Sequence, residues 1–171
     1  MAVRGSEVAI GQAIPHLVVH DAEGAAEFYK SAFGAREVYR SPQPTGRGVH
    51  IHLRIGQSLV IVSDDDQSRD KNRLEAHYKI SSPKSLGGTT TVIQFFWADA
   101  DSAYKRAVDA GAQPTVPLFN AFWGDRYGCV TDPYGHVWAI ATQQEVLDPA
   151  EVQGRMQAFA APLPTDSSTD G

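Results

Sequence analysis

The sequence contains a single cysteine, Cys129, which excludes an intramolecular disulfide and any zinc site that needs several cysteines. It contains no run of ~18 consecutive apolar residues, the length that a membrane-spanning helix requires. Residues 1–19 also lack the continuous apolar segment of a signal peptide. We therefore expect a protein of the reducing cytoplasm that does not enter a membrane.

Long basic stretches are absent too, and the net charge is −5. Because nucleic-acid-binding domains usually present a basic face or stripe, we expect no nucleic-acid partner. The phosphate-loop, dinucleotide-binding GxGxxG and hydrolase GxSxG motifs are missing, so these three enzyme classes have no support. A charge of −5 is too small to decide the charge of a ligand.

What is present is the composition of an ordinary globular chain, with 171 residues, 42% hydrophobic and 20% charged. Because domains commonly hold ~100–200 residues, this length predicts one domain or two small modules. The apolar fraction is sufficient for a buried core and excludes a wholly disordered chain.

An internal repeat divides most of the chain into two similar units. Residues 13–34 and 91–111 each read as a short apolar strand, an acidic residue, an amphipathic helix and a glycine. The aspartates that start the two helices are 78 positions apart, and the glycines that end them, Gly34 and Gly111, are 77 apart. Two markers that agree within one residue indicate a duplicated module.

Each unit is predicted to have the order βαβββ. Asp21 caps the first helix and Asp99 or Asp101 the second, because a carboxylate accepts hydrogen bonds from the free N–H groups of a first helical turn. A further helix is expected at 149–160, because a capping-box pattern stands at its start. Apolar alternation and turn residues predict strands after the two module helices, at about 36–41, 48–55, 58–63, 114–118, 126–131 and 136–142.

These elements divide the chain into five segments. An N-terminal extension (1–12) precedes the first module (13–63), and a connecting segment (64–90) leads to the second module (91–142). The C-terminal region (143–171) contains a helix and a disordered tail. The connecting segment is polar and longer than usual, so it is either a linker or a functional flap. We interpret the run from Asp64 to Asp66 as a solvated charge cluster, since its spacing is not that of an EF-hand calcium loop.

The two βαβββ units, with DAEGAAEFYKSAFGA in the first and DPYGHVWAIAT closing the second, resemble the vicinal oxygen chelate superfamily of glyoxalase I, extradiol dioxygenases, fosfomycin-modifying enzymes and bleomycin-resistance proteins. The resemblance covers about 13–142 and is closest to small bacterial glyoxalase-like proteins. It implies an α+β fold in which tandem modules with curved mixed sheets enclose a cavity, with the helices outside. It also implies a homodimer, and the sequence leaves open whether the modules pair within one chain or across the dimer. The subgroup motifs are Ser85–Thr89, Gly124–Gly128 and Asp132–Trp138.

Metal-dependent members of that superfamily hold the ion with four His, Glu or Gln side chains, on the first and last strand of each unit. The corresponding positions here are all apolar and have no lone pair for a divalent metal. The resemblance therefore implies that this metal site is lost, and we expect neither a metal nor another cofactor. The four positions are Ile14, Val60 or Ile61, Val92 and Ala139.

Three histidines are the first candidates for a functional site. His50 and His52 form an HxH pattern on a predicted strand, where alternate side chains share one face, and Arg54 continues it. His16 shares the inward face of its own strand. Each histidine is a candidate for ligand binding or for a general base, and the three together for zinc if they converge. The alternative is polar lining without chemistry.

Gln94 and an aromatic cluster are the candidates in the second unit. Gln94 alternates with apolar residues and offers a donor and an acceptor inside an apolar cavity. Phe119, Phe122 and Trp123 lie in a predicted loop at the cavity mouth, where flat aromatic ligands stack. The alternatives are a satisfied glutamine at a sheet edge and rings that fill a dimer interface or the junction between the modules.

The residues after the cluster are expected to be mainly structural. Asp125 and Arg126 are predicted to form an ion pair that fixes the loop, with binding of an anionic ligand by Arg126 as the alternative. Tyr127 is a candidate proton donor, although most buried tyrosines only hydrogen-bond. Cys129 has no obvious activating base and is expected to be a packed thiol. His136 is expected to make a structural hydrogen bond in its turn.

Three hypotheses for the function follow. The first is a metal-independent protein that binds a small aromatic or apolar molecule, for natural-product resistance by sequestration. The second is a lyase, isomerase or cyclase of the same fold that uses a cavity histidine as general base, with or without a metal. The third is an interaction partner without a ligand, which docks through the connecting segment and the C-terminal helix.

Overall fold

The computed structural model describes residues 11–43, 47–65 and 80–160. Three predicted segments therefore lie mostly or wholly outside the described residues: the N-terminal extension, the middle of the connecting segment and the C-terminal tail. Within the part described, no helix is long and apolar enough to cross a membrane.

Each module contains four strands and one long helix. The first module consists of β1 (His16–Val19), α1 (Ala22–Phe33), β2 (Arg36–Pro42), β3 (Val49–Ile55) and β4 (Ser58–Asp64). The second module consists of β5 (Val92–Phe96), α3 (Ala100–Asp109), β6 (Gln113–Asn120), β7 (Asp125–Thr131) and β8 (Val137–Gln143). The remaining helices are α2 in the connecting segment and α4 after the second module, at Pro83–Leu86 and Pro149–Ala160.

The two sheets have the same strand order, which is the structural counterpart of the sequence repeat. The first is ordered β1-β4-β3-β2 and the second β5-β8-β7-β6. In each sheet the first pair is parallel and the other two pairs are antiparallel. The prediction of an α+β chain with two βαβββ modules and mixed sheets is confirmed.

Both module helices begin where their aspartate caps predict. The Asp21 side chain accepts a hydrogen bond from the Gly24 N–H at 2.9 Å. Asp99 accepts from the Ser102 N–H at 3.1 Å, so Asp99 and not Asp101 caps α3. Gly34 ends α1 in the left-handed conformation, with a φ of 64°, which glycine adopts at little steric cost.

Helices α1 and α3 pack on one side of each sheet and on each other, so the two modules share one hydrophobic core. Its centre is aromatic. The ring centroids of Phe33 and Trp138 are 4.7 Å apart, and those of Tyr29 and Trp138 are 5.1 Å apart. Because Tyr29 and Phe33 belong to α1 and Trp138 to β8, these rings join the first module to the second.

A buried carboxylate lies at the same junction. Asp132, which is 4% exposed, accepts hydrogen bonds from the Tyr29 hydroxyl at 2.7 Å and from Trp138 Nε1 at 2.8 Å. Its other oxygen accepts from the backbone N–H groups of Tyr134 and His136, each at 2.9 Å. Burial and then the Asp132 carboxylate raise the pKa of Tyr29 well above its usual value, which keeps this hydroxyl protonated as a donor.

The turn that follows Asp132 also contacts the first module. His136 Nε2 lies 3.1 Å from the carbonyl oxygen of Val18 on β1. This contact confirms the structural hydrogen bond expected for His136. It also shows that the second module holds the first strand of the chain in place.

The interpretation of the Asp64–Asp66 run as a solvated charge cluster is wrong for the two residues that the structure describes. Asp64 accepts hydrogen bonds from the backbone N–H groups of Ala22 and Val49, both at 2.8 Å. Asp65 accepts from Ser82, through its backbone N–H at 2.8 Å and its hydroxyl at 2.6 Å. These donors are 15 or more positions away, which is why local spacing did not indicate them; Asp66 lies outside the described residues.

Candidate functional site

Each sheet has a helix-facing side and a second side, called the outer face below, that points away from α1 and α3. On β3, Ile51, Leu53 and Ile55 are fully buried in the shared core. The alternate residues, including His50 and His52, are only partly buried and therefore lie on the outer face. The same alternation defines the outer face of the second sheet.

The outer face of the first sheet brings the predicted histidines together. The rings of His16 and His50 meet edge to face, with their centroids 5.4 Å apart. His16 Nε2 also lies 2.8 Å from the buried hydroxyl of Ser63. The His52 ring contacts Tyr39 at 5.1 Å between centroids. Sequence reasoning missed Ser63 and Tyr39, although their alternation with helix-facing residues is a signal that could have indicated them.

The surroundings of His52 shift the pKa of its ring. Burial lowers its pKa below the ordinary value, and the nearby His50 lowers it further. His52 is therefore neutral near pH 7, which is the state that a general base needs. Residues 11–43, 47–65 and 80–160 contain no group of three or more His, Cys, Asp or Glu able to hold a metal, so the three histidines form no zinc site there.

We expect the substitution His50→Gln to raise the pKa of His52, because it removes a neighbouring positive charge while leaving the burial in place. The pKa of His52 should still lie below its ordinary value in this variant, since burial is the larger cause of the shift. A titration of the histidine ring protons by NMR measures this shift. His20→Gln is the matched control, because His20 lies beyond the end of β1 against Tyr134; an unchanged His52 pKa in His50→Gln would contradict the assignment.

The residues at the superfamily metal positions do not fit a metal. Val60 is part of the helix-facing core, so the second position is Ile61, which is paired with His16 across β1 and β4. Val92 and Ala139 lie on the outer face of the second sheet. Together with Ile14, these are four aliphatic side chains without a donor atom, so none of them is able to bind a divalent metal.

The outer face of the second sheet is apolar, with an exposed edge and a floor of small residues. Val92, Gln94 and Phe96 alternate along β5 and are all exposed. Gln94 and Phe96 are paired in register with Ala139 and Ala141 of β8, which are almost completely buried.

Aromatic rings border this floor. The Trp123 ring lies 4.9 Å from that of Phe122, 5.3 Å from that of Tyr127 and 6.1 Å from that of Phe119, centroid to centroid. The predicted cluster therefore forms, although Phe119 belongs to β6 and not to the loop where it was expected. A ring that sequence reasoning missed, Phe159 of α4, lies 5.8 Å from Phe122.

The predicted ion pair between Asp125 and Arg126 is wrong. Asp125 is buried and accepts a hydrogen bond from Trp123 Nε1 at 2.8 Å. Arg126 binds the carboxylate of Asp101 on α3, through Nε at 3.0 Å and Nη2 at 2.8 Å. Consecutive residues of a strand point to opposite faces, so Arg126 lies on the helix-facing side, away from the aromatic rings.

Tyr127 and Cys129 continue the outer face along β7. The Cys129 sulfur lies 3.3 Å from the Tyr127 hydroxyl, which agrees with a packed thiol. This hydrogen bond, followed by burial, raises the pKa of Tyr127 to about 12. The Tyr127 hydroxyl therefore stays protonated at neutral pH and is able to donate a hydrogen bond to a ligand.

The described part of one chain does not bring the two outer faces together. Contact between the modules runs mainly through α1, α3 and the turn after Asp132, all on the helix-facing side. The histidines and the aromatic rings therefore lie on the outer faces of two different sheets within one chain.

Comparison with known families identifies this arrangement. The family model described as Glyoxalase/Bleomycin resistance protein/Dioxygenase superfamily matches residues 9–140. The chain belongs to this superfamily. Its relatives include the uncharacterized protein Mb0911c of Mycobacterium bovis, which is 39% identical over 144 residues, 84% of this chain and 91% of that protein. The Arabidopsis thaliana protein At5g48480 is 31% identical and 72% of each chain is aligned.

Solved structures of the superfamily share the fold. TioX from Micromonospora sp. ML1 is 26% identical, with a TM-score of 0.56 over 76% of this chain and 96% of TioX. The fosfomycin resistance protein FosX from Mesorhizobium loti has a TM-score of 0.55 over 86% of this chain and 99% of its own. At 17% identity, the likeness to FosX shows the fold alone. The superfamily uses one scaffold for many chemistries, so the fold alone does not determine the function.

Proposed function

We propose that this glyoxalase-like protein binds a small, flat, apolar or aromatic molecule without a metal, in a cavity that two copies of the chain form together. Sequestration of a natural product is the corresponding biological role. We also propose that the protein works in the cytoplasm. The single cysteine supports this location, because proteins of a reducing compartment rarely depend on disulfides.

The observation that carries the proposal is the aromatic border around the alanine floor of the second outer face. Trp123 is held by its Nε1 hydrogen bond to Asp125, and the rings of Phe122 and Tyr127 stand edge-on to it. Rings fixed in this way present flat surfaces at a low cost in side-chain entropy, which favours stacking with a planar ligand. The protonated Tyr127 hydroxyl supplies a polar contact that orients the ligand.

A second copy of the chain is the partner that completes the cavity. Val92 and Phe96 are 55% and 60% exposed on the same side of β5, and no described residue covers them. In a two-fold dimer, the first outer face of one copy would cover the second outer face of the other, which closes two identical cavities. Each cavity would then have one wall with histidines and one with aromatic rings.

A second candidate function is an enzyme of the same fold, and the neutral His52 favours it. His52 would take a proton from a bound substrate, and the Tyr127 hydroxyl would donate to a developing oxyanion. Conversion of a bound compound that is lost in His52→Gln, while binding is kept, would establish the enzyme. Recovery of the compound unchanged supports the binding protein.

Binding of 2-naphthamide, a flat and uncharged probe, tests the proposed function. We expect saturable binding in isothermal titration calorimetry, unchanged by EDTA, and at least about tenfold weaker binding in Trp123→Ala, because a central stacked ring is lost. Trp97→Phe is the matched control, since Trp97 packs against the shared core. Absence of binding, or equal affinities in Trp123→Ala and the wild type, would show that the proposal is wrong.

A further inference from the structure

One polar side chain, Gln94, interrupts the apolar stripe along the outer face of β5. Its neighbours on that face, Val92 and Phe96, are largely exposed, and Gln94 is exposed as well. The carboxamide of Gln94 makes no hydrogen bond with another residue in the part of the chain that the structure describes. Water satisfies such a group in a single chain. Once the face is covered, as in the proposed cavity, the carboxamide needs another partner.

The register of the second sheet places Gln94 and Tyr127 on the two sides of one strand. β8 lies between β5 and β7, and Gln94 is paired with Ala139 of β8 while Tyr127 is paired with Ala141. Because neighbouring strands of a sheet are about 4.8 Å apart, the backbones of β5 and β7 are about 10 Å apart. A small molecule that lies across β8 is therefore within reach of both polar side chains.

The hydrogen-bonding groups of these two side chains complement an amide. A glutamine carboxamide has N–H donors and a carbonyl acceptor side by side, so it is able to form two parallel hydrogen bonds with another amide. The Tyr127 hydroxyl, which is protonated at neutral pH, is a further donor. A ligand carbonyl oxygen has two lone pairs and accepts from both residues. β5 and β8 contain no charged residue, which favours a neutral ligand.

We propose that the ligand of this protein is a neutral aromatic amide or lactam, whose carbonyl oxygen accepts hydrogen bonds from Gln94 and Tyr127 and whose N–H donates to the Gln94 carbonyl oxygen. The inference rests on the proposed function and adds the polar group of the ligand to it. The aromatic cluster holds the rings, and Gln94 selects the polar group. A compound of the same shape without an N–H leaves the Gln94 oxygen unpaired in a covered site, which costs more than one hydrogen bond contributes.

Calorimetry with two probes of matched shape tests this selection: 2-naphthamide and 2-acetylnaphthalene, in which a methyl group replaces the NH2 group. The wild-type protein should bind the amide about tenfold or more tightly, because only the amide donates to Gln94. In Gln94→Leu this preference should fall to about twofold or less, since no acceptor remains to be paired. In Tyr127→Phe both probes should bind more weakly with the preference kept, because both carry the carbonyl oxygen.

Gln113→Leu is the matched control, because Gln113 is an exposed glutamine on β6, the other edge strand of the same sheet. It should bind both probes as the wild type does. Equal affinities of the two probes in the wild type, or a preference that survives in Gln94→Leu, would overturn the selection by Gln94 while leaving the aromatic binding site intact. Failure of both probes to bind would overturn this inference and the proposed function together. Melting temperatures of all variants show whether each protein is folded.

Discussion

Replacing Asp132 by alanine is expected to lower the free energy of unfolding by about 3–5 kcal/mol. The buried carboxylate accepts four hydrogen bonds, and removing it leaves the Tyr29 hydroxyl and Trp138 Nε1 without their partner inside the aromatic core. The backbone N–H groups after Asp132, which hold the turn in place, lose their acceptor as well. Because both modules meet here, the loss should affect the unfolding of the whole chain.

Urea denaturation followed by circular dichroism measures this loss. Asp109→Ala is the matched control, because Asp109 is exposed and its ion pair is with Lys105 on the same helix, which contributes little to stability. Asp132→Asn should fall between the two, since an amide keeps one accepting oxygen. A destabilisation in Asp132→Ala that is no larger than in Asp109→Ala would contradict the role of Asp132 as the buried joint between the modules.

The double substitution Val92→Glu and Phe96→Glu is expected to convert a dimer into monomers, with the dissociation constant raised by at least about 100-fold. Both side chains are largely exposed in one chain, so the change should leave the fold of the protomer intact. In the proposed dimer they are covered, and each interface would have to bury carboxylates without a partner. Ligand binding should be lost together with the dimer, because the proposed cavity needs walls from both copies.

Sedimentation velocity over a range of protein concentrations measures the change. Val146→Glu is the matched control, because Val146 is 87% exposed and lies beyond the end of β8; this variant should remain dimeric. A wild-type protein that is monomeric at tens of micromolar, or a double variant that dimerises as the wild type does, would contradict the proposed arrangement.

Local sequence features predicted the elements well because their causes are local. Asp21 and Asp99 cap their helices through N–H groups three residues ahead. Apolar residues at helical and alternating spacing placed α1, α3 and the strands, because each pattern follows from the geometry of a single element. The repeat predicted that both modules have the same order of elements along the chain, βαβββ.

The candidate site was predicted in part, and the errors have a common origin. His16 and His50 were expected to face the same way, and their rings do meet. The partner of Arg126 is 25 positions away on α3, however, and not the adjacent Asp125. Strand alternation separates neighbours in sequence onto opposite faces, so adjacency along β7 was a poor guide to contact.

The sequence by itself determined the two βαβββ modules, the loss of donor atoms at the superfamily metal positions and the alternation that places the histidines on one face. These properties depend on residue type and on spacing within single elements. Only the tertiary structure decided that Asp132 joins the modules and that Gln94 and Tyr127 lie on the two sides of β8. It also decided that the histidines and the aromatic rings occupy separate faces of one chain. These outcomes depend on contacts between residues distant in sequence, which form only when the strands pair and the helices pack.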